Sequence, residues 1–284
     1  MSGRQPDGPP PPPVVQRVRL RYTKRGRLRF TSHRDIARAF ERALRRAQVP
    51  MAFSAGFSPH PKISWVGAAP TGVASEAEYV ELGLAARVDV EALRLALDAS
   101  LPGGIDVVEV VESAAGTSLP DRIEASHWLV RLPGVAPATA EAAVAAFLAR
   151  DAVPVERLTK NGMRELDPRA AVVRLGVVAS PGDAGPSSAG PATGCATLDV
   201  VVRHVTPAVR PDDVLSGLRS VADLVPPVPP EATRYAQGPL TGPGEVGDPL
   251  APDRITTEPG GDALGVTRQA AVPDRVGAGA QPTR

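Results

Sequence analysis

From Arg17 onward the chain alternates, with Val18, Leu20 and Tyr22 on one side and Arg17, Arg19 and Arg21 on the other. A period of two marks a half-buried strand. After "TKRG", whose glycine suits a tight hairpin turn, Leu28 and Phe30 alternate with Arg27 and Arg29 and predict that strand resumes. "TSHRD" reads as a helix start, with Ser32 as N-cap and Asp35 in the first turn. Ile36, Phe40, Leu44 and Ala47 form its buried stripe, and Arg34, Arg38, Arg42 and Arg45 line another face. Arg46 follows, and Pro50 stops the helix. A strand from Tyr79 to Leu84, a helix from Asp89 to Ala99 and a strand from Ile105 to Val111 come next. The order is β-α-β-β-α-β, which predicts a ferredoxin-like unit over residues 16–112.

A linker over residues 113–125 leads to a second such unit over 126–241. Its predicted parts are a strand from His127 to Leu132, an Ala-rich helix from Thr139 to Arg150, and strands flanking "TKNG". A strand from Cys195 to Val205 and a helix from Pro211 to Leu224 follow, and "EATRYAQGPL" closes the sheet. "SPGDAGPSSAGPATG", residues 180–194, reads as a flexible surface loop. Residues 1–15 are proline-rich and 242–284 are rich in Gly, Pro and Asp, so both ends are expected to be disordered tails. The expected class is α+β: two tandem ferredoxin-like units between disordered ends.

One stretch breaks the pattern. In "FSAGFSPHPKISW", residues 53–65, Pro59 and Pro61 bracket His60, Lys62 follows, and Gly56 leads in. Prolines rule out a central strand, while Phe53, Phe57, Ile63 and Trp65 are too apolar for a linker. The reading is an ordered loop, stiffened by its prolines, that presents His60 and Lys62.

Composition narrows the classes. With 43% hydrophobic residues the chain can build packed cores, and 27 Gly with 32 Pro point to long irregular parts. Cys195 is the single cysteine, which excludes a disulfide framework and suggests a reducing, cytoplasmic setting. No secretory leader or membrane span is visible, so no membrane contact is expected. Of the 32 basic residues only Lys24, Lys62 and Lys160 are lysine, a bias that reflects a GC-rich coding sequence as much as chemistry. The net charge of +1 hides one lopsided block: residues 17–46 hold twelve Lys and Arg against Asp35 and Glu41. A strand face and a helix face would present it, and phosphate backbones bind such surfaces by counterion release. The plainer reading is a solvated surface.

"LRFTSHRDIARAFERALRRAQVPMAFSAGFSPHPKISW", followed by "SEAEYVEL", resembles the radical-SAM-associated protein family. That family is an uncharacterised bacterial domain encoded beside, or fused to, radical SAM proteins, often near an E/G-type ribonuclease. The resemblance is strong over residues 17–112 and looser through the second unit to Leu240. It implies a radical SAM protein as partner and RNA as the context. A radical SAM enzyme needs three closely spaced cysteines for its cluster, and one cysteine cannot build it or a cysteine zinc site. Any iron–sulfur cluster and SAM would therefore sit in the partner, and no cofactor or metal is expected on this chain.

Three functions are compatible with these residues. An accessory RNA-binding protein would hold phosphate through Arg34, Arg38, Arg42, Arg45, Arg46, His60 and Lys62. Tyr79, expected on an exposed strand face opposite Val80 and Leu82, would stack on a base. A metal-independent ribonuclease, or another RNA-acting enzyme such as a transferase, is the enzyme reading. The ribonuclease would use His33, His60 and Lys62 as base, acid and phosphate cation, an analogy that rests on fold alone. A protein-binding adaptor would turn the basic surface to an acidic partner, with Glu76, Glu78 and Glu81 answering some arginines internally.

Overall fold

The computed structural model of the chain describes residues 11–159, 162–179 and 194–254. In chain order the elements are β1 (Gln16–Lys24), a 3-10 helix (Gly26–Phe30), α1 (His33–Arg46), β2 (Ile63–Val66), β3 (Ala74–Leu84), α2 (Val90–Asp98) and β4 (Val107–Glu112). A second 3-10 helix (Pro120–Arg122) precedes β5 (Ala125–Pro133), α3 (Pro137–Leu148), β6 (Val155–Thr159), β7 (Gly162–Leu166), α4 (Pro168–Ala171), β8 (Val172–Val178) and β9 (Cys195–Arg203). The chain then forms α5 (Pro211–Ala222), β10 (Glu231–Gly238), β11 (Leu240–Gly242), β12 (Glu245–Val246) and α6 (Ala251–Arg254). It is an α+β protein with a mainly sheet core.

Among the described residues one sheet of eight strands runs β4-β1-β3-β10-β5-β9-β8, with β2 also paired to β3. In the first half β4, β1, β3 and β2 are antiparallel neighbours in that order. In the second half β10, β5, β9 and β8 repeat the pattern. The halves join where β10 runs parallel to the start of β3, at Thr233–Ala74 and Arg234–Ser75. "EATRYAQG" thus closes no edge. It is the internal seam of the sheet.

Alternation on each strand fixes two faces. On one, Val18, Leu20, Tyr22, Val80 and Leu82 pack on Ile36, Phe40 and Leu44 of α1 and on Leu93 and Leu97 of α2. The second core sets Trp128, Val130, Leu132, Leu198 and Val200 against Phe147 of α3 and Leu218 of α5. Here Gly217 lets the helices close: a Cβ on it would lie 2.7 Å from the Phe147 ring. Between the two cores lies a buried ion pair, Arg234 with Glu78. Arg234 also donates to Ser75 Oγ at 3.3 Å and lies 5.4 Å over the Trp128 ring.

Several expectations are corrected. Leu28 and Phe30 lie in a 3-10 helix, not a strand, because Gly26 takes a φ of 55° and turns the chain before any ladder can resume. The strands beside "TKNG" form a separate hairpin, β6–β7, outside the main sheet. Residues 242–254 are structured: β11–β12 is a hairpin, Leu250 is buried, and Asp253 is 0% exposed. The linker is packed too, through Leu119 and Ile123. The expectations for residues 1–10, 180–193 and 255–284, and for Lys160, fall outside the described residues.

Candidate nucleic-acid interface

The predicted cap forms: Ser32 Oγ accepts the Asp35 N–H at 3.3 Å, starting α1 at His33. The helix buries Ile36, Ala39, Phe40, Ala43 and Leu44, and this turns Arg34, Arg38, Arg42, Arg45 and Arg46 to solvent. Arg38 reaches Asp35 at 3.4 Å and Arg45 reaches Glu41 at 3.6 Å, both as exposed pairs. Such pairs are weak enough to open to a phosphate. Arg46 donates to the Ser100 carbonyl at 3.4 Å. Among the described residues no carboxylate pairs with Arg34 or Arg42.

The arginines of β1 behave differently. Arg19 is 0% exposed and gives bonds to Glu81 at 2.9 Å, to both Asp253 oxygens and to Thr117. Arg17 pairs with Glu81 at 3.2 Å, and Lys24 is buried with Nζ on the Pro70 carbonyl at 3.0 Å. Burial pushes the Lys24 amine below its ordinary value, with Glu78 pulling it up and Arg234 down. Arg19 and Lys24 of the basic block are therefore internal, and Arg17 and Arg25 are exposed but paired with carboxylates, while the helix face stays open.

Residues 53–62 form a closed loop beside that face. Phe53 bridges Pro61, Ser54 N–H donates to the His60 carbonyl at 2.8 Å, and His60 N–H donates to Ser54 Oγ at 3.0 Å. The Lys62 N–H donates to the Ala52 carbonyl, the Ala52 N–H to the Gly83 carbonyl and the Gly83 N–H to the Lys62 carbonyl, which moors the neck to β3. Gly56, with φ 127°, supplies the reversal at the tip. Phe57 stands there 72% exposed. The neck packs against α1: Glu41, Leu44 and Arg45 share a pocket of about 100 Å³ with Val49, Phe53 and Pro61. The larger cleft, about 630 Å³ between residues 14–17 and 112–118, contains none of the predicted site residues.

His33 is exposed at the start of α1, its ring edge-on to Trp65 of β2 at 5.1 Å. His60 and Lys62 are exposed on the loop. Among the described residues no side-chain hydrogen bond joins these three to one another or to a carboxylate, so no acid–base pair is preassembled. Tyr79 corrects the expectation of an exposed strand face. It is 3% exposed, because Leu119, Ile123 and Leu250 from the linker and C-terminal segment cover that side of β3. Its ring has no free face for a base.

Sequence reasoning passed over Phe57 as a ligand-facing group, although an aromatic between Gly56 and Pro59 cannot reach a core from a stiff loop tip. It also passed over Tyr235 and His127, whose rings lie 5.9 Å apart on the second half of the sheet. Among the described residues no three His, Cys, Asp or Glu side chains converge as a metal site. No helix there is long and apolar enough to cross a membrane.

The chain is thus an α+β protein with an arginine-faced helix beside a stiff aromatic-tipped loop. No curated protein matches it. Residues 17–211 match the family model described as "Uncharacterized protein conserved in bacteria (DUF2344)", and the chain belongs to that family. The match runs from β1 to the first residue of α5.

Proposed function

We propose that the protein is an accessory RNA-binding subunit that holds an RNA for a radical SAM partner, in the cytoplasm, and has no cofactor of its own. The partner would supply the iron–sulfur cluster, SAM and the bond-breaking step. The observation that carries this reading is the joint between α1 and the loop. The pocket shared by Leu44, Arg45, Phe53 and Pro61 packs the neck of the loop against α1 beside Arg45, and the same loop carries the exposed Phe57 at its tip. Guanidinium groups there would take phosphates, and Phe57 would meet an unstacked base. The strand orders β4-β1-β3-β2 and β10-β5-β9-β8 support reading each half as a ferredoxin-like unit, with β6–β7 inserted in the second. His60 and Lys62 serve as loop contacts to the backbone in this account.

The test is fluorescence anisotropy of a labelled single-stranded RNA against the full chain over a salt series. Replacing Arg38, Arg42 and Arg45 with Ala weakens binding across sequences and lowers the log–log salt slope by about 2, from about 0.7 per phosphate contact. A triple variant with the parent's affinity and slope removes RNA from the account. Copurification of a radical SAM protein with the tagged chain tests the partner separately.

A further inference from the structure

The outer face of the second half-sheet differs from that of the first. Linker and C-terminal residues bury Tyr79 in the first half. In the second, Trp128, Val130 and Leu132 turn inward to the core. His127, Leu129 and Arg131 therefore point the other way. Beside them the β10–β5 register slips: Arg234 pairs with Trp128 and Ala236 with His127, which leaves Tyr235 as the extra residue of a bulge. A bulge re-aims a side chain, and here it holds Tyr235 54% exposed over the sheet.

The surroundings of Tyr235 fit a flat, polar-edged ligand. The His127 ring is tilted 55° to that of Tyr235, and its Nε2 lies 3.0 Å from Asp199 Oδ1. Arg174 holds the same carboxylate at 2.9 Å, so the imidazole is fixed in orientation. Burial lowers the His127 pKa, with Asp199 opposing and Arg174 assisting, which favours the neutral ring. At the ends of the face lie Arg131, in an exposed pair with Glu231, and Arg203. No carboxylate pairs with Arg203 among the described residues. The hairpin turn at Gly244 packs on Arg174 and walls one side. A protein partner would need a cluster of desolvated apolar anchors, and this face offers one exposed ring. A base needs one ring and nearby cations.

We propose that Tyr235, backed by His127 and flanked by Arg131 and Arg203, is a stacking platform for one base of a single-stranded nucleic acid. The proposal rests on the RNA reading above, and adds a second contact region on the other half of the sheet. An RNA gripped at α1 would then span both halves, with phosphates on the helix and a base on the tyrosine.

The experiment uses the full chain and a fluorescein-labelled, mixed-sequence single-stranded RNA 12-mer, with Y235A, Y235L, Y235F and the α1 triple-arginine variant. Tyr235 is half exposed and unpaired in the ladder, so Y235A and Y235L fold, and circular dichroism melts check this. Losing one stacked base weakens binding roughly five- to a hundredfold and leaves the salt slope unchanged, because no phosphate contact is lost. Y235F restores affinity and Y235L does not. With 4-thiouridine in the RNA, the photo-crosslinked peptide contains residues 231–238. If Y235A binds like the parent while the arginine variant fails, the platform is wrong and the RNA reading stands. If Y235A fails and the arginine variant binds normally, the platform stands and the helix is the wrong grip. No binding by the parent overturns both.

Discussion

Asp253→Asn changes one buried carboxylate into an amide of the same size. Asp253 accepts from Arg19 Nη1 at 3.0 and 2.9 Å, from Arg122 at 2.7 and 3.2 Å, and from the Ala114 N–H at 3.0 Å. The substitution leaves the Arg19 guanidinium, itself 0% exposed, with Glu81 as its remaining carboxylate at 2.9 Å. Stranding a buried charge costs about 3–5 kcal/mol. The surviving Glu81 bond places this case at the lower end, about 3 kcal/mol. For an ordered region of this size each kcal/mol lowers Tm by about 2–4 °C, so D253N melts roughly 6–12 °C below the parent. The pH dependence follows from the same bonds. Burial raises the Asp253 pKa, but the bonds from Arg122, Ala114 and Arg19 outweigh it and hold the carboxyl below its ordinary 3.8. A depressed carboxylate stabilises the fold above that value and loses its effect as pH falls through the folded value. The parent therefore shows an acid loss that D253N lacks. Calorimetry over pH, with limited proteolysis of residues 245–254, measures both effects. If D253N melts within about 1 °C of the parent and its C-terminal segment stays equally protected, the segment is not held by this carboxylate.

At the seam, Glu78→Gln leaves Arg234 buried without its ion-pair partner and costs about 3–5 kcal/mol, read as a lower urea midpoint. An unchanged midpoint means that Ser75 and the Trp128 ring suffice for Arg234. Burial also lowers the pKa of His204, as it does that of His127, so protonation favours the unfolded chain. Stability is full above the ordinary 6.5 and falls as pH drops toward the folded values. The drop is smaller in H204Q, and equal slopes in parent and H204Q would refute this sign.

Local rules decide what can be read along the chain. Ser32 and Asp35 mark the start of α1, because a cap is a matter of neighbouring residues. The spacing of Ile36, Phe40 and Leu44 marks its buried side, and therefore the exposed arginines, because a helix has one period. Gly56 and the two prolines announce a stiff loop for the same reason, since backbone freedom belongs to each residue. Alternation likewise shows that Tyr79 and Arg19 face away from Val80 and Leu20.

Alternation does not say what lies against that second face. Arg19 and Tyr79 look like surface residues, yet Asp253 and Leu250, far along the chain, bury them. A short run such as "DPLAPDR" has too little apolar content to signal structure, and its order comes from contacts with a sheet that only folding assembles. The seam at Thr233–Ala74 is equally silent in sequence, because strand pairing is a long-range choice between backbones that all offer the same donors and acceptors. Tyr235 shows the limit most sharply. A one-residue slip between two strands, invisible in either strand alone, leaves that tyrosine exposed on the sheet. The sequence determined which residues prefer helix, turn or strand, since those preferences are local. The tertiary structure decided which of their faces meet water, since that depends on what the rest of the chain brings to cover them.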